Sequence, residues 1–144
     1  MDNKEGEKEV QRSRKADVVV IEDNESVCEG CRQTLKEEGY RVATARDGSE
    51  GLALVEELLP NVVIVDLKMP GISGLNVLER IPEIDSAIVS IAISGFGVID
   101  SEHESKKTGA FDFLAKPFEP EQLVETVSRA MELSRFREKS GLKE

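Results

Sequence analysis

The chain has 144 residues, 29 of them acidic and 19 basic, for a formal net charge of −10. With 39% hydrophobic residues it fits a single globular domain that can bury a core, and it excludes a disordered chain. The acidic balance argues against a nucleic-acid groove, which needs clustered positive charge. No apolar run approaches the roughly 20 residues that cross a bilayer, and the opening MDNKEGEKEV lacks the apolar stretch of a secretion signal. A cytoplasmic protein is expected, with no membrane contact and no direct nucleic-acid binding.

Residues 1–15 are charged and without periodicity, which predicts a flexible N-terminal tail. From Asp17 the pattern changes. Val18-Val19-Val20-Ile21 is a β-branched run, the mark of a strand buried on both faces. A helix is expected at about 25–38, ended by Gly39, and a second strand at 40–45. Asp47-Gly48-Ser49 opens a helix with Leu52, Val55, Leu58 and Leu59 on one face, stopped by Pro60.

The alternation continues with a third strand at Val62-Val63-Ile64-Val65, a turn at Met69-Pro70-Gly71 and a short helix at about 73–80. A fourth strand is expected at 87–93, a polar segment at 98–108 and a fifth strand at 111–115. Pro120 starts the last helix, with Leu123, Val127, Ala130 and Met131 inward. The domain then spans 16–135, and 136–144 reads as a C-terminal tail or linker.

Strands alternating with helices make an α/β fold: one doubly wound, five-stranded parallel sheet covered on both faces. In such sheets the functional crevice lies beyond the C-terminal strand ends, at the switch in strand order. Glu22-Asp23 end strand one, Asp66 strand three, Ser94-Gly95 strand four and Lys116-Pro117 strand five. Three carboxylates brought together repel, and a cation must join them or a proton must stay on. An all-oxygen set of this kind suits Mg²⁺. With Lys116 beside it, such a site would bind a dianionic oxygen group such as a phosphoryl.

Cys28 and Cys31 form one C-x-x-C. A structural zinc site needs about four ligands, and the lone histidine, His103, is distant in sequence. The pair falls about a turn into the first helix rather than at its N-terminus, where a redox pair sits; at its spacing with Leu35, Cys31 reads as a core position, and the pair reads as structural.

The chain resembles the response regulator receiver domain of two-component signal transduction. The residues that carry the likeness are Val20-Ile21-Glu22-Asp23, Asp66-Leu67-Lys68-Met69-Pro70-Gly71 with Gly74, Ile93-Ser94-Gly95, and 109–118 from Gly109-Ala110-Phe111 to Lys116-Pro117-Phe118. The resemblance implies the flavodoxin-like receiver fold and a switch that catalyses its own phosphorylation and dephosphorylation rather than an enzyme. Asp66 would accept a phosphoryl group from a phosphohistidine or a small donor such as acetyl phosphate. Asp23, Asp66 and the backbone carbonyl of Lys68 would ligate Mg²⁺, with Glu22 acting through a water. Lys116 and Ser94 would hold phosphoryl oxygens as catalytic groups. Ser94 and Phe113 would form the switch, with Phe113 where the family often has tyrosine. The implied partners are a sensor histidine kinase or phosphotransfer protein, and a downstream output domain or partner protein. A homodimer is the assembly the resemblance suggests.

The chain departs from that pattern between strands four and five. The inner-face positions of the expected helix hold Glu102, His103, Ser105, Lys106 and Thr108. A helix without an apolar stripe gains little by docking, so 98–108 is expected to be short, displaced or poorly ordered, with His103 solvated.

Two other chemistries fit the fold less well. A phosphatase of the haloacid dehalogenase type resembles an Asp-x-Asp pattern, but Lys68 occupies the second position. A flavin site would want hydroxyls and glycines where Glu22-Asp23-Asn24-Glu25 stand.

Overall fold

The computed structural model describes residues 13–95, 103 and 105–140. These form, in chain order, β1 (Val18–Ile21), α1 (Glu25–Glu37), β2 (Val42–Ala45), α2 (Gly48–Leu58), β3 (Val62–Asp66), α3 (Gly74–Ile84), β4 (Val89–Ser94), β5 (Asp112–Ala115) and α4 (Pro120–Ser140). The strands pair in the order β2-β1-β3-β4-β5, and every pairing is parallel. The order reverses between β1 and β3, which puts the crevice beyond the ends of those two strands.

Alternate residues of the strands feed two cores. Val18, Val20, Val62, Ile64, Ile91 and Ile93 face α1 and α4, meeting Leu35, Leu123 and Val127. On the other face Val19, Ile21, Val63, Val65 and Ala92 meet Leu52 and Val55 of α2 and Val77, Leu78 and Ile81 of α3. A strand with apolar neighbours on both sides carries no polar alternation, and β1 and β3 are buried throughout.

The helix ends follow local chemistry. Asn24 caps α1 through its side chain, which accepts from the Val27 N–H at 3.0 Å. Gly39, at φ +96°, closes α1: its N–H donates to Lys36 O at 2.9 Å and Tyr40 N–H to Leu35 O at 3.2 Å. Asp47 caps α2 and Ser73 caps α3.

Strand edges lie within one or two residues of the sequence reading, and three larger departures stand beside them. The helix expected at 73–80 continues to Ile84 through Pro82, because Ile81 extends the buried face of Val77 and Leu78. Arg14 and Lys15, assigned to the N-terminal tail, are bound to the body. The Arg14 side chain, 7% exposed, pairs with Asp85 at 3.3 Å and with Glu138, and donates to the carbonyls of Leu59 and Pro60 at 2.9 and 3.2 Å. Residues 136–140, assigned to the C-terminal tail, continue α4, and Glu138 is held by that pair. The expectation for 98–108 lies largely outside the described residues. Of that segment, His103 and 105–107 are helical, with Ser105 buried and His103 exposed.

Candidate functional site

The parallel sheet delivers four strand ends to one edge. Asp66 is the last residue of β3, and Ser94 the last of β4. Glu22 and Asp23 follow β1, and Lys116 follows β5. The backbone ties these ends together: Glu22 N–H donates to Ala45 O at 3.0 Å, Leu67 N–H to Ile93 O at 2.9 Å, and Lys116 N–H to Ser94 O at 2.9 Å. The site therefore rests on ladder hydrogen bonds rather than on a free loop.

Glu22 is fully buried and Asp66 is 2% exposed, while Asp23 lies open to solvent. Carboxylate oxygens of the three lie within 4.8 Å of one another. The Lys116 ammonium stands 2.9 Å from Glu22 Oε1 and 3.3 Å from Asp66 Oδ2. Asp66 Oδ1 accepts the Lys68 N–H at 3.0 Å, and Glu22 Oε2 accepts the Asn24 N–H at 2.9 Å. Three carboxylates against one ammonium leave an excess of negative charge. At an effective dielectric of about 20, like charges at this separation repel by roughly 3 kcal/mol. Burial is the chief cause that pushes the Glu22 carboxyl up to about 7, and Asp66 adds to it, against the pull of the Asn24 N–H and Lys116. Burial works to lower Lys116 too, but Glu22 and Asp66 outweigh it and hold the ammonium above the usual lysine range.

The donor set fits a hard divalent cation. The three acids are an all-oxygen cluster, and Glu22 Oε1, buried, has the Lys116 charge nearby but makes no well-aligned hydrogen bond. Such an atom is suited to accept from a metal-bound water.

The structure brings Glu22, Asp23, Asp66 and Lys116 into contact range, and sets Ser94, fully buried, on the same edge. Lys68 is exposed, and it is its backbone N–H that reaches Asp66. Phe113 lies within β5, half-buried and packed with Ala92 and its neighbours on the α2–α3 side. The Asn24 N–H on Glu22 was missed in the sequence, because a backbone N–H belongs to any non-proline residue and the residue type gives no signal for it. Cys28 and Cys31 are buried free thiols in the α1–α4 core, and burial above all pushes Cys31 up to about 12.

The comparisons with known proteins agree with one another. The family model for the response regulator receiver domain matches residues 18–128. The C4-dicarboxylate transport transcriptional regulatory protein DctD of Pseudomonas aeruginosa is 35% identical over 119 residues, 83% of this chain but 26% of that protein. The chain thus spans about a quarter of that relative's length. Sporulation initiation phosphotransferase F of Bacillus subtilis is 29% identical over 116 residues, covering 81% of this chain and 94% of that one. Among solved structures, the receiver domain of NtrX from Brucella abortus superposes with a TM-score of 0.77 at 30% identity, over 81% of this chain and 98% of its own. A CheY-like receiver domain protein from Methanospirillum hungatei gives 0.80 at 26% identity, over 87% and 99%.

Proposed function

The chain belongs to the response regulator receiver domain family, whose work is phosphoacceptor signalling, and on that premise we propose that Asp66 is the residue that takes the phosphoryl group. One observation carries the reading: Asp66 ends the strand beside the topological switch with Lys116 at 3.3 Å and two further acids in reach. An Asp66 oxygen attacks the phosphorus of a phosphohistidine or acetyl phosphate. The bond from phosphorus to the donor breaks, and its electron pair leaves with the imidazole or acetate. Little covalent help is needed, so the protein contributes position and charge balance. Lys116, fixed between Glu22 and Asp66, faces the oxygens on which negative charge gathers. Ser94, at the adjoining strand end, supplies a hydroxyl donor to another oxygen.

Mg²⁺ is the cation that fits the acid cluster; when bound it neutralises the phosphoryl oxygens and the acids together. Asp23, Asp66 and the Lys68 carbonyl would hold it, with Glu22 acting through a water. The same groups would serve the reverse loss of the phosphoryl group to water, so the domain catalyses its own phosphorylation and dephosphorylation. The load on Asp66 then shifts the population between two conformations, with Ser94 and Phe113 as the coupled switch. The partners are a sensor histidine kinase or phosphotransfer protein upstream and an output domain or partner protein downstream. The setting is the cytoplasm, where such kinases present their phosphohistidine.

Intact mass after incubation with acetyl phosphate and Mg²⁺ tests this. Wild type gains one phosphoryl group; Asp66→Asn gains none, and omission of Mg²⁺ abolishes the gain. Equal labelling of the two proteins would remove Asp66 from the role.

A further inference from the structure

Gly74 is the first residue of α3, directly after the Ser73 cap, and it is buried. Among the described glycines, Gly39, Gly71 and Gly109 have positive φ, and Gly74 does not, so its backbone conformation alone does not call for glycine. Space does. An ideal Cβ built on Gly74 lies 2.5 Å from the carbonyl oxygen of Asp66, 2.6 Å from Leu67 Cα and 3.1 Å from the Asp66 carbonyl carbon. These are backbone atoms, which cannot turn aside as a side chain would. They are held, moreover, by the Leu67 N–H bond to Ile93 O at 2.9 Å.

The loop after β3 therefore closes on its own start. Helix α3 begins against the peptide that carries Asp66, and the Lys68 N–H that holds Asp66 Oδ1 at 3.0 Å belongs to the same short run. A side chain at 74 has two outlets. It can push α3 outward, against the packing of Val77, Leu78 and Ile81. Or it can push the 66–68 backbone away from the helix and turn the Asp66 carboxylate from Lys116.

We propose that Gly74 is a positioning residue for the phosphoacceptor: the absent side chain sets how closely α3 backs the 66–68 peptide, and so where the Asp66 carboxylate points. This rests on the reading of Asp66 given above. Helix propensity alone predicts the opposite, since alanine is the better helix former.

The experiment compares wild type, Gly74→Ala and Val77→Ala. Val77 is buried in the same helix, so its truncation weakens α3 without a clash at Asp66. Phosphorylation by acetyl phosphate with Mg²⁺ is followed by intact mass, under conditions where urea melts show each protein folded. A misplaced carboxylate lowers the rate by about tenfold or more in Gly74→Ala, whereas Val77→Ala stays within about twofold of wild type. A Gly74→Ala rate equal to wild type, or a loss shared equally by both variants, overturns the inference.

A second readout needs no phosphorylation. In metal-free protein, amide resonances of Asp66, Leu67 and Lys68 shift in Gly74→Ala and not in Val77→Ala; the absence of that difference also overturns it. Should Gly74→Ala not fold, Mg²⁺ is titrated into wild type. The Gly74 amide then moves together with that of Lys68, and a Gly74 amide that stays still while Lys68 moves counts against the proposal. Wild type that takes no phosphoryl group defeats the assignment of Asp66 instead, and leaves the amide comparison to decide on Gly74.

Discussion

Glu22 is the least comfortable residue of the site. It is fully buried, and its carboxyl is pushed up from 4.5 to about 7, by burial first and by Asp66 after it. A raised carboxyl favours the folded state most at low pH, where it is protonated in both states. That advantage is lost as the pH climbs from 4.5 through about 7, because the unfolded chain ionises freely and the folded one resists. In metal-free buffer, wild type should therefore lose on the order of 3 kcal/mol relative to Glu22→Gln across that window. Urea midpoints of both proteins at each pH measure it, and a constant difference between them contradicts it. Lys68 poses the neighbouring question. Its N–H holds Asp66 while its side chain lies exposed, two residues along the chain from that carboxylate. We expect Lys68→Ala to open the path of attacking water and speed dephosphorylation by roughly threefold to tenfold. Equal decay of phosphorylated wild type and variant, followed by mass, would reject this. Cys31 is the quiet counterpart: buried, with a thiol pushed up to about 12, it should react with iodoacetamide only on unfolding.

At the scale of elements, the capped ends carry stability that packing does not. Gly39 holds φ +96° and closes α1 with two hydrogen bonds. Gly39→Ala forces a Cβ into the left-handed region and should cost about 1 kcal/mol, seen as a lower urea midpoint with phosphorylation intact. This cap was legible because glycine after an amphipathic run has one common use. The same holds for β1 and β3, whose unbroken valine and isoleucine runs mark strands buried on both faces. Asp66, Glu22, Asp23 and Lys116 were legible as a set because a parallel sheet sends every strand's C-terminal end to one edge. Other features were not legible, each for a physical reason. Pro82 sits where a helix should stop, yet burial of Ile81 carries α3 through it. The Asn24 N–H on Glu22 is a backbone donor that no residue type marks, and the backing of Asp66 by Gly74 depends on how the loop after β3 returns to the sheet. No spacing along the chain encodes that return.

The whole molecule has two unlike poles. The C-terminal edge of the sheet gathers acids that repel one another. The opposite edge is held by a polar cluster around Arg14 that joins parts distant in sequence. Arg14 reaches Asp85 after α3, Glu138 near the end of α4 and the carbonyls of Leu59 and Pro60 before β3. Asn61 and Ser134 add a buried side-chain bond at 3.1 Å, and Arg137 reaches Ile88 O at 3.4 Å. Such a cluster is costly to break from one side, because the partners left behind are poorly solvated. Arg14→Ala leaves two carboxylates facing each other's charge and two carbonyls without their donor. A loss of about 2–4 kcal/mol is expected. Glu138→Gln, which keeps an acceptor for Arg14 and removes one charge, should lose less than half of that. Because the cluster lies at the pole away from Asp66, both variants should keep the wild-type rate of labelling by acetyl phosphate under conditions where they are folded. Urea melts and mass measurements on the same samples read the two quantities side by side. A stability change within about 0.5 kcal/mol for Arg14→Ala would reduce the cluster to an ordinary surface contact. A large drop in labelling without unfolding would mean that the two poles are coupled through the sheet.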